Sequence, residues 1–307
     1  MVKAQSGFFT VEGGDGRRFV CQIPGRLKKE RQESDLVAVG DRVTVRPNPD
    51  GTSVIEAVAE RKRVLSRARP AAERRSLLSD QEQVLVANLD QVVLVFSVRQ
   101  PEPSLRKLDR FLVITERNQV PALVCVNKVD LAEAGEAEAK FDLYAGIGYP
   151  VVYTSAKRGD GIQDLRNQLQ DKLSVFAGSS GVGKTSLLNA VQPGLGRRVQ
   201  QVSRATEKGL HTTRHVELVP LAAGGYVADT PGIRSLALYD LEPGELDAYF
   251  REIAPLVADC QFSDCSHTHE PGCAVRAAVA AGAVAPARYE SYLRLREEHE
   301  SLEEDAY

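Results

Sequence analysis

The sequence has no apolar run that approaches membrane-spanning length, which excludes a helical membrane protein and predicts no membrane partner. Nothing at its N-terminus reads as a targeting segment, so the expected location is the cytoplasm. Five cysteines in 307 residues, with no secretory leader, argue against a disulfide framework. There is no internal repeat, which sets solenoids and propellers aside. Large charge of either sign is also missing, since the net value is −3. Length allows about two to three domains.

What is present is a set of phosphate- and base-binding motifs. Gly178-Ser179-Ser180-Gly181-Val182-Gly183-Lys184-Thr185 fits G-x-x-x-x-G-K-[ST] without a mismatch. Apolar Leu173, Val175, Phe176 and Ala177 precede it as a buried strand, and Ser186 to Val191 follow as a helix start. The glycines let backbone N–H groups face phosphates, and the helix N-terminus adds positive charge. Lys184 is expected to reach the β- and γ-phosphates, and the Thr185 hydroxyl to ligate Mg²⁺. Ser186 completes the phosphate-side set.

Asn127-Lys128-Val129-Asp130 follows the strand-like run Val120 to Val126. An Asp130 carboxylate only accepts hydrogen bonds. Guanine offers it two donors and adenine offers no matching pair, so adenine would leave a buried charge unpaired. Ser155-Ala156-Lys157, after strand-like Tyr149 to Tyr153, would cover the base through backbone N–H and the lysine stem. Asp229 ends the strand Tyr226-Val227-Ala228 and opens Asp229-Thr230-Pro231-Gly232. It is expected to hold Mg²⁺ through water, with the Gly232 N–H on the γ-phosphate. These motifs together predict GTP and GDP as ligands.

Between phosphate loop and Asp229 lies Thr206 to Arg214, where a switch with a magnesium-ligating threonine belongs. Thr212 and Thr213 both qualify, and Thr213 is the choice. The glutamine that orients water in many GTPases is missing, because Ile233 stands directly after Gly232. An aliphatic side chain cannot orient water, and His211 is the residue that could.

The motif order is permuted: the base-reading motifs precede the phosphate loop. Circular permutation keeps a site intact when the old termini lie close together. It changes the destination of the segment after Asp-x-x-Gly, which here runs through Arg234 to Tyr239 into a C-terminal module. Motion of that switch would then pull on the module.

Cys260, Cys265, His267 and Cys273 have the spacing C-x₄-C-x-H-x₅-C, which suits one closed, structural tetrahedral Zn²⁺ site. His269 competes, and His267 is the choice. Cys21 and Cys125 lie in apolar runs and read as core residues.

The expected fold is multidomain: residues 1–66 an OB-like β-barrel, 67–82 a basic linker, 83–238 a permuted α/β P-loop GTPase domain, and 239–307 a mainly helical zinc-binding domain. Gly7–Val11, Arg18–Cys21, Asp41–Val45 and Ser53–Val58 read as barrel strands; an SH3-like barrel fits almost as well. Residues 1–80 carry net +5, residues 241–307 net −9. The excess in Arg61, Lys62, Arg63, Arg67, Arg69, Arg74 and Arg75 suits phosphate backbones. Tyr289 to Glu304 reads as a solvated acidic helix.

Barrel, permuted GTPase and Cys₃His module in this order resemble the ribosome small subunit-dependent GTPase A (RsgA) family over nearly the whole chain. The most specific marks are the permuted order, Gly178 to Thr185, Gly209-Leu210-His211-Thr212-Thr213 and the metal cluster. The resemblance implies a GTP hydrolase that binds the small ribosomal subunit and its ribosomal RNA late in maturation and turns over faster when docked. It implies His211 as catalytic histidine, Thr213 as switch threonine, and the four metal ligands one for one. Some potassium-activated GTPases carry Asn where this chain has Gly181, so no potassium site is expected. Arg214 replaces a third threonine found in many members. The rival readings are an RNA-binding scaffold with a slow or vestigial GTPase timer, and a GTPase acting on transfer RNA or a DNA structure. A monomer is the simplest assembly.

Overall fold

The structure is a computed structural model that describes residues 1–5, 7–24, 35–49, 52–68, 82–200, 216–229 and 243–304. The N-terminal part is a five-stranded sheet in the order β1-β2-β3-β5-β4. Its strands are β1 (Lys3–Gln5), β2 (Phe8–Glu12), β3 (Arg18–Gln22), β4 (Val43–Pro47) and β5 (Ser53–Val58). All pairings are antiparallel except β3 with β5. Val11, Cys21 and Ile55 point into its core, as period-2 alternation requires. Strand β1 was not anticipated; at three residues it has too little alternation to be read.

Strands β6 (Val64–Ala68) and β7 (Glu82–Ala87) form a two-stranded antiparallel sheet. Strand β6 therefore extends past residue 66, where the sequence suggested the barrel ends. Residues 69–81, with Arg69, Arg74 and Arg75, lie outside the described residues.

The central sheet runs β10-β9-β8-β11-β13-β12. Strands β8 (Gln91–Ser97), β9 (Ala122–Asn127), β10 (Val151–Thr154), β11 (Leu173–Ala177) and β13 (Tyr226–Asp229) are parallel, and β12 (Val219–Pro220) is antiparallel at the edge. Every residue of β8 and β9 is buried, as expected of parallel strands covered on both faces. The connections carry α1 (Leu105–Arg117), α2 (Glu136–Gly146), α3 (Ile162–Leu169) and α4 (Lys184–Val191). Helix α1 buries Leu108, Asp109, Phe111, Leu112, Val113, Ile114 and Thr115, a face wider than one amphipathic stripe. Ser104 caps it, its hydroxyl oxygen accepting from Lys107 N.

The C-terminal part has 3₁₀ turns at Pro243–Tyr249 and Ala254–Asp259, a helix at Ala274–Ala280 and a long helix at Pro286–Glu304. The long helix is not merely a solvated flank, because Arg288, Ser291, Tyr292, Leu295 and His299 are buried. Three of those five are polar, so the buried stripe carries little hydrophobic signature. One continuous apolar cluster reaches from Met1 and Val11 through β8 and α1 to Phe250, Tyr292 and Leu295.

Candidate nucleotide site and metal centre

The phosphate loop joins β11 to α4 at the carboxyl ends of the parallel strands, where α/β sheets place their ligands. Two glycines in it are irreplaceable for steric reasons. Gly178 has φ +150°, and a Cβ there would sit 2.3 Å from the Val95 carbonyl oxygen. Gly183 has φ +96°, and a Cβ there would sit 2.4 Å from Asn127 Nδ2. These glycines let the loop pack directly against the Val95 carbonyl at the end of β8 and against the Asn127 amide. Lys184 Nζ donates to the carbonyls of Gly178, at 2.8 Å, and Ser179, at 3.0 Å, so its ammonium already lies inside the loop. Ser180, Gly181, Thr185 and Ser186 are exposed, and Val182 is buried beneath them.

The motifs Asn127-Lys128-Val129-Asp130 and Ser155-Ala156-Lys157 meet this loop through sheet register. Thr154 pairs with Asn127, and Ser97 with Asn127 from the other side. That register sets Ser155-Ala156-Lys157 beside Asn127 to Asp130. Asn127 Nδ2 donates to Val182 O at 2.9 Å, while Asn127 Oδ1 accepts from Ala156 N at 3.3 Å. Asn127 is buried and ties three motifs together. Lys128, in the left-handed region with φ 64°, donates to Gly181 O at 2.7 Å and to Gln100 O. Ser155 Oγ donates to Asp130 Oδ1 at 2.6 Å, which fixes the carboxylate while leaving acceptor capacity for a ligand. Lys157 is exposed beside it.

Asp229 closes β13, with its backbone opposite Phe176, two residues before the phosphate loop. Its side chain, together with Thr206 to Arg214 (His211, Thr212 and Thr213 among them), Gly232 and Arg234 to Tyr239, lies outside the described residues.

Cys260, Cys265, His267 and Cys273 converge, their donor atoms all within 4.8 Å of one another. The ring nitrogen facing the thiols is His267 Nδ1, 3.6 Å from Cys260 Sγ and 3.4 Å from Cys273 Sγ. His267 Nε2 lies 3.1 Å from Asp247 Oδ2, the carboxylate support that orients metal-bound imidazoles. His269 instead contacts the Thr268 hydroxyl and is exposed. Burial and the neighbouring thiols Cys273 and Cys260 push the Cys265 thiol up to about 12, a penalty that a divalent cation among the sulfurs would reverse. The donor set therefore fits a tetrahedral cation of Zn²⁺ type. Cys21 and Cys125 are both fully buried core residues.

Sequence reasoning missed Asp247, thirteen positions before the first cysteine, since a lone aspartate in a turn carries no signal. It also missed the hydroxyls of Tyr289 and Tyr292, which donate to His267 O at 2.6 Å and Ser266 O at 3.0 Å.

The model of the RsgA GTPase family matches residues 58–239. The chain is 44% identical over 300 residues to the small ribosomal subunit biogenesis GTPase RsgA of Gemmatimonas aurantiaca, covering 97% of this chain and 96% of the relative. It is 40% identical over 299 residues to the RsgA of Thermotoga maritima, covering 96% and 94%. Among solved structures it is similar to YjeQ from Thermotoga maritima, with a TM-score of 0.78 and 38% identity over 97% of this chain and 96% of that one. It is also similar to YloQ, described as a circularly permuted GTPase, with a TM-score of 0.74 and 34% identity over 98% and 93%.

Proposed function

The chain belongs to the RsgA GTPase family, and from that premise we propose that it hydrolyses GTP on the small ribosomal subunit, during late maturation, faster when docked than alone. The observation that carries the GTPase reading is the interlock of Asn127, Asp130, Ser155 and the phosphate loop, in permuted order, around one mouth of the sheet. The ribosome enters through relatives called small ribosomal subunit biogenesis GTPases over nearly their whole length.

Catalysis in this reading is positioning and charge stabilisation. Loop N–H groups and Lys184 hold the phosphates, Asp130 reads guanine, and Ala156 and Lys157 cover the base. Gly232 N–H meets the γ-phosphate, and His211 positions the attacking water when the protein is docked. Thr185 and Thr213, and Asp229 through water, would hold Mg²⁺, which would supply positive charge to the phosphates. One Zn²⁺ in the Cys₃His cluster would be structural, not catalytic, because all four positions are filled by protein.

We also assign residues 1–66 as an OB-like barrel, 67–82 as a basic linker, 83–238 as the GTPase domain and 239–307 as the zinc domain. The strand order β1-β2-β3-β5-β4, with its single parallel pair, supports the barrel. A cytoplasmic monomer working on ribosomal RNA through its basic N-terminal side completes the reading. The test is GTP turnover by the purified protein alone, with small subunits, and with large subunits as control. Stimulation by the small subunit only is expected; turnover that ignores both subunits would remove the ribosome from the proposal.

A further inference from the structure

We infer that metal occupancy of the Cys₃His cluster and nucleotide occupancy are linked through Arg288 and helix α1, with Arg288 as a positioning residue between the two sites. The inference rests on the nucleotide site proposed above.

The connection is a chain of buried polar contacts. The metal loop hangs on the C-terminal helix, because Tyr289 Oη donates to the carbonyl of the ligand His267 at 2.6 Å. One residue earlier, Arg288 is 1% exposed. Its Nη1 donates to Asp109 Oδ1 of α1 at 2.6 Å, and its Nε to Glu252 Oε1 at 2.6 Å. Its guanidinium lies over the Phe250 ring, 4.6 Å from the centroid. Burial alone would drive the charge off Arg288, but Glu252 and Asp109 more than offset it and hold its pKa above the ordinary value. Tyr144 of α2 donates to the same Asp109 oxygen at 2.7 Å. The cluster is therefore fully partnered, and a shift of any member leaves a buried charge short of a bond.

Helix α1 carries the contact onward. The segment that leads into it, 97–104, offers Gln100 O to the Lys128 ammonium, which also donates to Gly181 O of the phosphate loop. Arg99 of that segment is bonded to Glu136 of α2. A chain of contacts thus runs from His267 to the phosphate loop without passing through residues 230–242. The ion pairs Arg110–Glu298 and Arg251–Glu116 hold the same helix from its flanks. Whatever seats the metal loop seats α1, and whatever seats α1 biases Lys128 and the phosphate loop.

The test measures release of a fluorescent GDP analogue from the full-length protein, metal-loaded or treated with a zinc chelator that leaves Mg²⁺ free. Three proteins are compared: wild type, Arg288→Gln and Tyr289→Phe. The second variant loses one hydroxyl and leaves the buried charges untouched, so it reports even if Arg288→Gln folds poorly. Metal removal is expected to speed release from wild type about tenfold, from Tyr289→Phe about threefold, and from Arg288→Gln less than about twofold, within the usual range of coupling between sites. A merely structural role for Arg288 would change release but not its metal dependence. A metal effect of equal size in all three proteins places the coupling elsewhere and overturns the inference, as does no metal effect in wild type. Wild-type protein that binds no guanine nucleotide with metal bound would instead sink the nucleotide-site reading itself.

Discussion

At the residue scale, the base-reading role proposed for Asp130 turns on what a carboxylate cannot do. Asp130 accepts and never donates, and Ser155 Oγ already fixes one of its oxygens. Asp130→Asn turns one acceptor into a donor facing the guanine donors. We expect GDP affinity to fall about 100-fold, near the 2–3 kcal/mol of an unpaired buried polar group, with little change in melting temperature; titration of a fluorescent GDP analogue checks it. His211→Ala is expected to retain nucleotide binding within about twofold and to lose the turnover gained from small subunits, where general acid–base groups contribute about 10²–10⁴. Full stimulated turnover in that variant would clear His211 of the role. Glu270 gives a pH prediction. Burial alone would raise its pKa, but the Ser266 hydroxyl and backbone N–H groups of Ser266, Thr268 and His269 outweigh it and hold the carboxyl far below its ordinary 4.5. A depressed carboxylate stabilises above its unfolded value and loses that stabilisation as pH falls through the folded one. Glu270→Gln should therefore melt a few degrees lower than wild type at neutral pH, about 2–4 °C. The gap should close as pH drops below 4.5. A gap that widened in acid would reverse the assignment.

At the element scale, the phosphate loop shows why glycine spacing was readable. Gly183 stands between helix α4 and Asn127, and a methyl group there meets Nδ2 at 2.4 Å in a backbone region alanine avoids. Gly183→Ala is expected to cost about 1–3 kcal/mol in urea-melt stability and to abolish measurable nucleotide binding, because Asn127 must leave Val182. The strands β9, β10, β11 and β13 announced themselves by apolar runs, and the Cys₃His cluster by its spacing. The elements that stayed hidden did so for physical reasons. Strand β1 has three residues. The buried side of Pro286–Glu304 is built from Arg288, Ser291 and His299 as much as from Tyr292 and Leu295, so its amphipathicity is of hydrogen bonds, not hydropathy. Arg288 and Asp109 are 179 positions apart, a pairing that no local pattern announces. His211 and Thr213, which the sequence suggested as catalytic histidine and switch threonine, lie outside the described residues.

At the scale of the whole molecule, the three parts lean on each other more than the motif order suggests. The N-terminal sheet is stitched to the GTPase edge by Leu218 N donating to Val2 O at 2.9 Å, by the Lys3–Glu217 ion pair and by Tyr226 Oη donating to Glu12 at 2.7 Å. At the other end, Arg251 pairs with Glu116 and covers the Tyr149 ring at 4.1 Å from its centroid. The main apolar cluster crosses both joints. A part that shares its core with its neighbour cannot melt alone without exposing that neighbour. Metal removal should accordingly not release the C-terminal module as a separate, low-temperature transition. We expect calorimetry with a zinc chelator to show one transition, moved down by about 10 °C, the combined effect of losing several kcal/mol of metal-linked folding energy in a chain this long. Two resolved transitions, the upper one unmoved, would mean that the module is an appendage whose contacts with α1 contribute little. Bound GDP with Mg²⁺ should raise the same single transition whether or not zinc is present, and by less in its absence, because a ligand stabilises only by its affinity for the folded state.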